Sequence, residues 1–185
     1  MDVKTLKNFV SRQERDHLEA KAYEYRDAGI LEANPRGESR WFKKINGTDL
    51  CDEIMQKVGD RVIEAFELKG YQIDPYLGWI VSFIEPGGFI NRHRDYYEFY
   101  QDKKHRHLRC NVMVSKNSEM ANPNIGNMTV PIEERGLWAF FASEQQHGTR
   151  TMANDKLRIV FQYGFAVPAA YRLETLLPWP RLALR

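Results

Sequence analysis

The sequence predicts a mainly β domain, a β-sandwich or barrel, with helices packed against one outer face. Two features lead to this prediction. The first 70 or so residues carry apolar side chains at helical spacing, whereas from about residue 77 the apolar runs shorten to strand length between turn formers. A chain of 185 residues also matches one ordinary domain, which can bury a sizeable core without disulfides.

Two helices are predicted in the first part of the chain. Ser11 and Glu14 have the spacing of a capping box, and the helix that they begin runs until Gly29. Asp49 is the predicted N-cap of the second helix, which ends before Gly70. Its apolar side chains recur at about helical spacing: Leu50, Ile54, Val58, Val62 and Phe66. The stretch between the helices, ANPRGESRWFKKING, is rich in turn formers and is interpreted as a connection.

The strand-rich part follows the helices. β-branched and aromatic residues between turn signals predict strands near 79–84, 89–93, 107–115, 128–132, 137–142, 145–149 and 157–167. Residues 116–128 contain Asn, Pro and Gly and are interpreted as a long loop at one end of the barrel. We expect a single domain over 1–185, with mainly helical support in 1–76, the β core in 77–167 and a C-terminal tail in 168–185.

Composition and charge exclude several classes of protein. A hydrophobic content of 43% with 28% charged residues is typical of a globular protein rather than a disordered one. The chain has neither a signal-peptide core nor an apolar run of membrane-span length, so we expect a cytoplasmic location and no membrane partner. Cys51 and Cys110 are too few for a disulfide framework. The net charge of +2 gives no general attraction to polyanions.

One group of residues is typical of a metal site. The segment GGFINRHRDYY places His93 and Asp95 two positions apart at a strand end, so both side chains point to the same face. His147 follows the predicted strand LWAFFA, after enough chain to cross a barrel and return. Two histidines and one carboxylate on one face of a metal leave its other positions open, which is the ligand set of non-haem Fe(II) oxygenases. We therefore predict that these three residues bind the metal and form the catalytic centre.

A basic residue follows at a suitable distance. Arg158 stands eleven positions after His147 in DKLRIVFQYGF, on the strand face opposite to the apolar one. An inward guanidinium needs an anionic partner, and it matches the distal carboxylate of a 2-oxo diacid bidentately. The same alternation in LRCNVMV turns Arg109 and Asn111 into the cavity, so we predict that both contact the co-substrate.

These residues resemble the Fe(II)- and 2-oxoglutarate-dependent oxygenases, and within them the prolyl-hydroxylase-like branch. The family pattern is HxD, then a distant His, then Arg or Lys some ten positions further on. His93, Asp95, His147 and Arg158 match it. The flanking segments FIEPGGFINRHRD and GLWAFFASEQQHGTR are also similar to the strands that lead into the family's metal ligands. The resemblance covers about residues 77 to 167.

The resemblance implies a double-stranded β-helix core, jelly-roll and cupin-like, with the N-terminal helices packed on one sheet. It implies Fe(II), 2-oxoglutarate and O2 as cofactor and co-substrates, and hydroxylation with release of succinate and CO2. Because Asp95 fills the position that is vacant in related halogenases, hydroxylation is favoured over halogenation, while desaturation and ring closure stay open. Arg150 is a second basic residue near His147 and competes with Arg158 for 2-oxoglutarate.

Three functions stay open at this point. The first is a hydroxylase acting on a small molecule such as an amino acid or a biosynthetic intermediate. The second is an oxygenase acting on a protein or nucleic acid, for which the basic run KKHRHLR over 103–109 is the support. The third is a non-catalytic metal-binding cupin-like barrel, which consumes no 2-oxoglutarate.

Other residues near the metal motif have candidate roles. His105 and His107 form an HxH pair that is a rival metal site, although the surrounding Lys and Arg disfavour a cation there. Arg94 and Gln162 are candidate polar contacts. Four aromatic residues that directly follow the motif are candidates for a lid that excludes water: Tyr96, Tyr97, Phe99 and Tyr100.

Overall fold

The computed structural model describes residues 2–116, 119–152 and 157–173. The α-helices are α1 (Arg12–Asp27) and α2 (Glu53–Ala65), and short 3-10 turns cover Glu98–Tyr100 and Glu119–Ala121. The strands are β1 (Val3–Leu6), β2 (Glu32–Ala33), β3 (Gly37–Lys44), β4 (Gln72–Ile73), β5 (Trp79–His93), β6 (His105–Ser115), β7 (Asn124–Ile125), β8 (Met128–Thr129), β9 (Leu137–Phe141), β10 (His147–Thr149) and β11 (Arg158–Pro168). Residues 174–185 of the predicted tail lie outside the described residues.

Both predicted helices form, and the start of the second differs from the prediction. In α1 the capping box is confirmed, since Ser11 Oγ accepts from the Glu14 N–H at 3.1 Å and the Glu14 carboxylate accepts from the Ser11 N–H at 2.7 Å. The prediction of Asp49 as the cap of α2 is wrong. Asp52 is the N-cap and accepts from two backbone N–H groups at 3.0 Å, because Thr48 organises the preceding residues into a turn.

The strands form a curled antiparallel sheet in the order β1-β9-β6-β11-β5-β10-β7-β8, with β3 also on β5, β2 on β3 and β4 on β11. β5 connects the two halves of this sheet. It pairs with β3 along one edge, and along the other edge it pairs first with β11 and then with β10. The strand bends at the segment EPGG, where a Cβ at Gly88 would lie 2.7 Å from the Glu38 carbonyl oxygen. This bend turns the end of β5 toward β10.

The two faces of the sheet have different roles. The outer face of β6, β11 and β5 packs against α1 and α2 in one apolar cluster, which includes Val81, Leu108, Cys110, Phe161 and the helical residues Leu18, Met55 and Val62. The inner face carries polar residues that are nevertheless buried: Ser82, Arg109, Asn111, Arg158 and Gln162. The predicted alternation along β6 and β11 is therefore confirmed, and it directs these polar side chains into the barrel.

The first part of the chain contains more strand than the sequence predicts. The stretch interpreted as a connection contains the end of β2 and all of β3, which pairs with β5 along its length. β3 is a polar strand with few buried residues, so it carries no alternating apolar pattern. The two strands predicted near 79–84 and 89–93 are one bent strand, β5. Within the described residues, neither helix has the length and apolar character needed to cross a bilayer.

Candidate metal centre

Two histidines meet where β5 ends and β10 begins. His93 and His147 are register partners in the antiparallel pairing of these strands, and their ring centroids are 4.3 Å apart. The close approach of the strands depends on Gly148, because a Cβ at this position would lie 2.6 Å from the Ile90 carbonyl oxygen. Strand pairing thus brings together histidines that are far apart in the sequence.

Asp95 completes the group from the turn after β5. Its backbone N–H donates to the Ala142 carbonyl at 2.8 Å, and its side chain is fully buried. One carboxylate oxygen lies 3.6 Å from His93 Nε2 and the other lies 3.6 Å from His147 Nε2. Candidate ligand atoms of the three residues all lie within 4.8 Å of one another. The structure therefore brings the three predicted metal ligands into one place.

The orientation of both rings fits a metal. His93 Nδ1 lies 2.7 Å from the Asn91 carbonyl oxygen, and His147 Nδ1 lies 3.0 Å from that of Gln145. Since a carbonyl only accepts, each Nδ1 carries the proton and each Nε2 keeps a lone pair. The buried His147 Nε2 has no hydrogen-bond partner. Histidines that bind metals show this same arrangement, in which the outer nitrogen is held by a backbone group.

Burial sets the protonation of these side chains. It lowers the pKa of His93 to about 4 and the pKa of His147 to about 3, so both are neutral at neutral pH. Burial alone would raise the pKa of Asp95, but Arg109 and the nearby histidines hold that pKa below its ordinary value. The three residues thus have the protonation states that a divalent metal requires.

Two arginines hold the Asp95 carboxylate. Arg36, directly before β3, donates to Oδ1 at 2.5 Å, and Arg109 forms an ion pair with Oδ2. The structure thus places Arg109 next to a candidate metal ligand, in the pocket that Arg158 also lines. The sequence did not predict Arg36, because it lies in the stretch interpreted as a connection.

Arg158 lies deep in this pocket, at the start of β11. Its Nε donates to the Ala121 carbonyl at 2.8 Å, while its buried Nη1 has no hydrogen-bond partner. Burial, and then repulsion by Arg40, lowers the pKa of Arg158 to about 9, so the group is still charged at neutral pH. Among the described residues no carboxylate forms an ion pair with Arg158, and a buried cation in this state indicates a binding site for an anion.

The other predicted polar contacts divide between this pocket and the surface. Asn111 and Gln162 line the pocket with Arg158. Asn111 Nδ2 donates to the Trp138 carbonyl at 3.3 Å, and Gln162 Oε1 has no hydrogen-bond partner. Arg150 is exposed and lines a separate surface depression. The structure therefore places Arg158, and not Arg150, in the pocket that His93 and His147 line.

The predicted aromatic lid lies only partly at this site. Tyr97 stacks on Tyr76 with ring centroids 4.5 Å apart, and the Arg36 guanidinium lies 5.3 Å from the Tyr97 ring. Tyr100 is buried and stacks on His107, which in turn lies beside Asp95. Tyr97 and Tyr100 are thus predicted lid residues that the structure connects to Asp95, the first through Arg36 and the second through His107.

The HxH pair does not form a metal site of its own. His107 is fully buried, with Nδ1 3.7 Å from an Asp95 oxygen and Nε2 3.8 Å from an Asp74 oxygen. His105 lies at the start of β6 and packs near Phe99, with ring centroids 5.0 Å apart. In the described part of the chain, the residues close enough together to hold a metal ion are the predicted triad.

The basic run 103–109 is not a continuous exposed surface. Arg106 is buried, its guanidinium lies over the Phe141 ring, and it donates to both Glu144 carboxylate oxygens at 2.6 and 2.8 Å. Of its basic residues, Lys103 and Lys104 are exposed. This run therefore offers little positive surface to a nucleic acid.

No protein-family model and no curated protein sequence matches the chain. Solved structures do. A viral collagen prolyl hydroxylase from Paramecium Bursaria Chlorella virus-1, in complex with 2-oxoglutarate, is 14% identical with a TM-score of 0.66, over 90% of this chain and 97% of that one. A prolyl hydroxylase from Trichoplax adhaerens, in complex with a hypoxia inducible factor peptide, is 14% identical with a TM-score of 0.66, over 95% and 87%. HygX from Streptomyces hygroscopicus, with nickel and 2-oxoglutarate bound, is 9% identical with a TM-score of 0.63, over 89% and 82%.

The chain has the prolyl-hydroxylase fold. The predicted double-stranded β-helix with helices packed on one sheet is confirmed, and so is the resemblance to this branch at the level of fold. Because the identities are low, the activity has to be argued from the residues that line the pocket.

Proposed function

We propose that the protein is a non-haem Fe(II)- and 2-oxoglutarate-dependent dioxygenase that hydroxylates its substrate with release of succinate and CO2. The observation that carries this proposal is a pocket lined by His93, His147 and Arg158, with Asp95 beside the two histidines. One end of this site offers two neutral imidazoles and a carboxylate, and another part offers a buried guanidinium. 2-Oxoglutarate has a chelating 2-oxo acid at one end and a carboxylate at the other, so its two ends match the two parts.

Each pocket residue has a distinct task in this proposal. When bound, Fe(II) and 2-oxoglutarate supply the activation of dioxygen and the oxidation of a carbon–hydrogen bond. His93 and His147 offer Nε2 lone pairs to the metal, and Asp95 offers a carboxylate oxygen. Arg158 binds the distal carboxylate and thereby fixes the direction of the co-substrate. Apolar side chains along the pocket exclude water: Ile90, Trp138 and Phe140.

We propose a small molecule, such as an amino acid or a biosynthetic intermediate, as the substrate. Asp95 is fully buried, and Arg36 connects it to the stacked Tyr97 and Tyr76; a buried site suits a small ligand better than a protein loop. HygX has also been solved with hygromycin B bound. A protein substrate is the alternative, supported by the Trichoplax adhaerens hydroxylase in complex with a peptide. The nucleic-acid alternative has less support, because Arg106 is buried in an ion pair.

Anaerobic spectroscopy tests the proposed site without knowledge of the substrate. Fe(II) and 2-oxoglutarate are added to the purified protein in the absence of oxygen, and the visible absorption is recorded. We expect a metal-to-ligand charge-transfer band in the wild type, its loss in His147→Ala, and a higher 2-oxoglutarate concentration for half-saturation in Arg158→Met. The matched controls are His105→Ala and Arg150→Met, which lie outside the pocket and should leave the band unchanged.

The same samples separate an enzyme from a metal-binding barrel. After oxygen is admitted, a dioxygenase forms succinate slowly even without its primary substrate, and Asp95→Ala should abolish this. If the folded wild type binds iron but gives neither the band nor succinate, the oxygenase proposal fails and the non-catalytic barrel becomes the better account.

A further inference from the structure

A second arginine, Arg40, lies close to Arg158 because of the strand register. Arg40 on β3 and Arg158 on β11 both pair with Ile84 of β5, from opposite sides. Residues directly opposite each other in a sheet direct their side chains to the same face. Both arginines accordingly line the pocket that contains His93 and His147.

Both guanidinium groups are buried, and neither has an ion-pair partner in the part of the chain that the structure describes. Arg40 is 5% exposed and Arg158 is 2% exposed. Their hydrogen bonds go to neutral acceptors, since Arg40 Nη1 donates to Asn34 Oδ1 at 3.2 Å and Arg158 Nε donates to the Ala121 carbonyl. The Nε of Arg40 and the Nη1 of Arg158 have no hydrogen-bond partner. Two like charges buried side by side destabilise a protein unless an anion joins them.

Structural arginines in this protein look different. Arg106 donates to both oxygens of Glu144, and Arg61 donates to both oxygens of Glu14. Each of these carboxylates therefore compensates the charge of its arginine. Among the residues that the structure describes, no carboxylate forms an ion pair with Arg40 or Arg158. The two pocket arginines thus have hydrogen-bond donors that are available to a ligand.

We propose that Arg40 is a second anchor for the distal carboxylate of a 2-oxo dicarboxylate, acting together with Arg158. This inference rests on the proposed function and adds a residue to it. A carboxylate has two oxygens and about four acceptor positions, so it accepts from two guanidinium groups at once. The Nε of Arg40 and the Nη1 of Arg158 are the donors left for it. The pocket is then selective for a co-substrate that carries a charge at both ends.

A comparison of two ligands measures how much the distal carboxylate contributes to binding. 2-Oxoglutarate and 2-oxovalerate share the chelating 2-oxo acid and the five-carbon chain, but 2-oxovalerate has a methyl group in place of the distal carboxylate. Each is titrated anaerobically into Fe(II)-loaded wild type, Arg40→Met and Arg40→Gln, and the charge-transfer band is recorded. We expect both substitutions to weaken 2-oxoglutarate binding about 10- to 100-fold, the size of a charged hydrogen bond, and to change 2-oxovalerate binding less than about 3-fold.

A thermal unfolding measurement on ligand-free protein gives an independent readout. Because Arg40→Met removes one of two buried like charges and keeps much of the apolar stem, we expect its Tm to equal or exceed that of the wild type. An arginine that served only the fold would lower the Tm when removed. The matched control, Arg150→Met, should change neither the Tm nor the ratio of the two affinities.

The outcomes distinguish this inference from the proposed function. If wild type with bound iron gives no band with 2-oxoglutarate, the proposed function itself fails. If the wild type gives the band, but both Arg40 variants keep the wild-type ratio of 2-oxoglutarate to 2-oxovalerate affinity, Arg40 does not touch the distal carboxylate. That second result overturns the inference alone, and would assign Arg40 to an anionic substrate or to the fold.

Discussion

His93 and His147 connect the site to the stability of the protein through their pKa values. Burial lowers these values to about 4 and about 3 in the folded protein, from the ordinary histidine value of 6.5. At pH values between the folded and the ordinary pKa, the unfolded chain binds more protons than the folded one. The free energy of unfolding therefore falls as the pH is lowered through this range. Above about pH 6.5 both states carry neutral imidazoles and this loss vanishes.

We therefore predict that metal-free protein loses stability as the pH falls from about 7 to about 4.5, and that His147→Gln loses less over the same range. Urea unfolding at several pH values measures both. His105→Gln, at a half-buried surface position, is the control and should follow the wild type. An equal loss in wild type and His147→Gln would contradict the proposed neutral state of His147.

Residues of the pocket differ in how far the sequence predicts them. His93, Asp95 and Arg158 were predicted because spacing and strand alternation fix the direction of a side chain from its near neighbours. Arg40 was missed, because its place in the pocket depends on the pairing of β3 with Ile84 of β5, more than forty positions away. In the sequence, an arginine among ESRWFKK is read as solvated.

At the scale of elements, the geometry of the candidate metal centre depends on how closely β10 approaches β5. A methyl group at Gly148 would meet the Ile90 carbonyl oxygen at 2.6 Å and push the strands apart. We predict that Gly148→Ala lowers the free energy of unfolding by about 1–3 kcal/mol, a typical cost of overpacking, and weakens Fe(II) binding. Metal titration and urea unfolding of the same samples test this.

Gly47→Ala is the control for this change. Gly47 has a φ of 70° and nothing within 4 Å of its missing Cβ, so the substitution strains the backbone away from the site. We expect a loss of stability of about 1–2 kcal/mol with unchanged Fe(II) affinity. If both glycine variants weaken metal binding equally, the effect reflects general destabilisation rather than strand separation.

The start of α2 gives a second test at this scale. Asp52 accepts hydrogen bonds from the N–H groups of Ile54 and Met55, whereas Asp49 is exposed in the preceding turn. We predict that Asp52→Ala lowers the free energy of unfolding by about 0.5–2 kcal/mol and that Asp49→Ala changes it by less than about 0.5 kcal/mol. Chemical denaturation of both variants measures these changes. A larger loss of stability in Asp49→Ala than in Asp52→Ala would support Asp49 as the N-cap, as the sequence predicts.

The sequence predicts those elements whose apolar pattern extends over many residues. α2, β6 and β11 carry periodic apolar residues over many positions, so their type follows from the sequence alone. β1, β2 and β3 were missed because they are short or polar, and their hydrogen bonds go to strands distant in the chain. For such strands the partner, rather than the local sequence, decides the conformation.

At the scale of the whole molecule, binding in the pocket should stabilise the entire fold, since the site joins β5, β6, β10 and β11. A ligand at about 100 times its Kd adds about 2.7 kcal/mol, which raises the Tm of a chain of this size by roughly 5–10 °C. We predict this rise with Ni(II), the metal in the HygX structure, and 2-oxoglutarate together, and a smaller one with either alone. Thermal unfolding measures it.

The His147→Gln variant serves as the control for ligand-linked stability. It should lose most of the joint effect, because a metal held by two side chains binds 2-oxoglutarate less well. An equal rise in this variant would place the ligands outside the proposed site.

The architecture as a whole followed from the order of the elements, helices first and then many short strands, together with the resemblance carried by the metal motif. The path of β5 could not be predicted from the sequence. Its bend at EPGG lets one strand pair with β11 and then β10, and the sequence signals at that bend look like an ordinary turn between two strands.

The alternation of β6 also determines which of its side chains are open to chemical damage. Arg109 and Asn111 face the pocket, whereas Cys110 between them faces the helices, where it is fully buried and its thiol pKa is raised by burial. Thiolates, not thiols, react with oxidants, and burial favours the thiol. The sheet therefore separates the pocket that the candidate metal ligands line from an oxidisable sulfur, which stays in the apolar cluster on the other face.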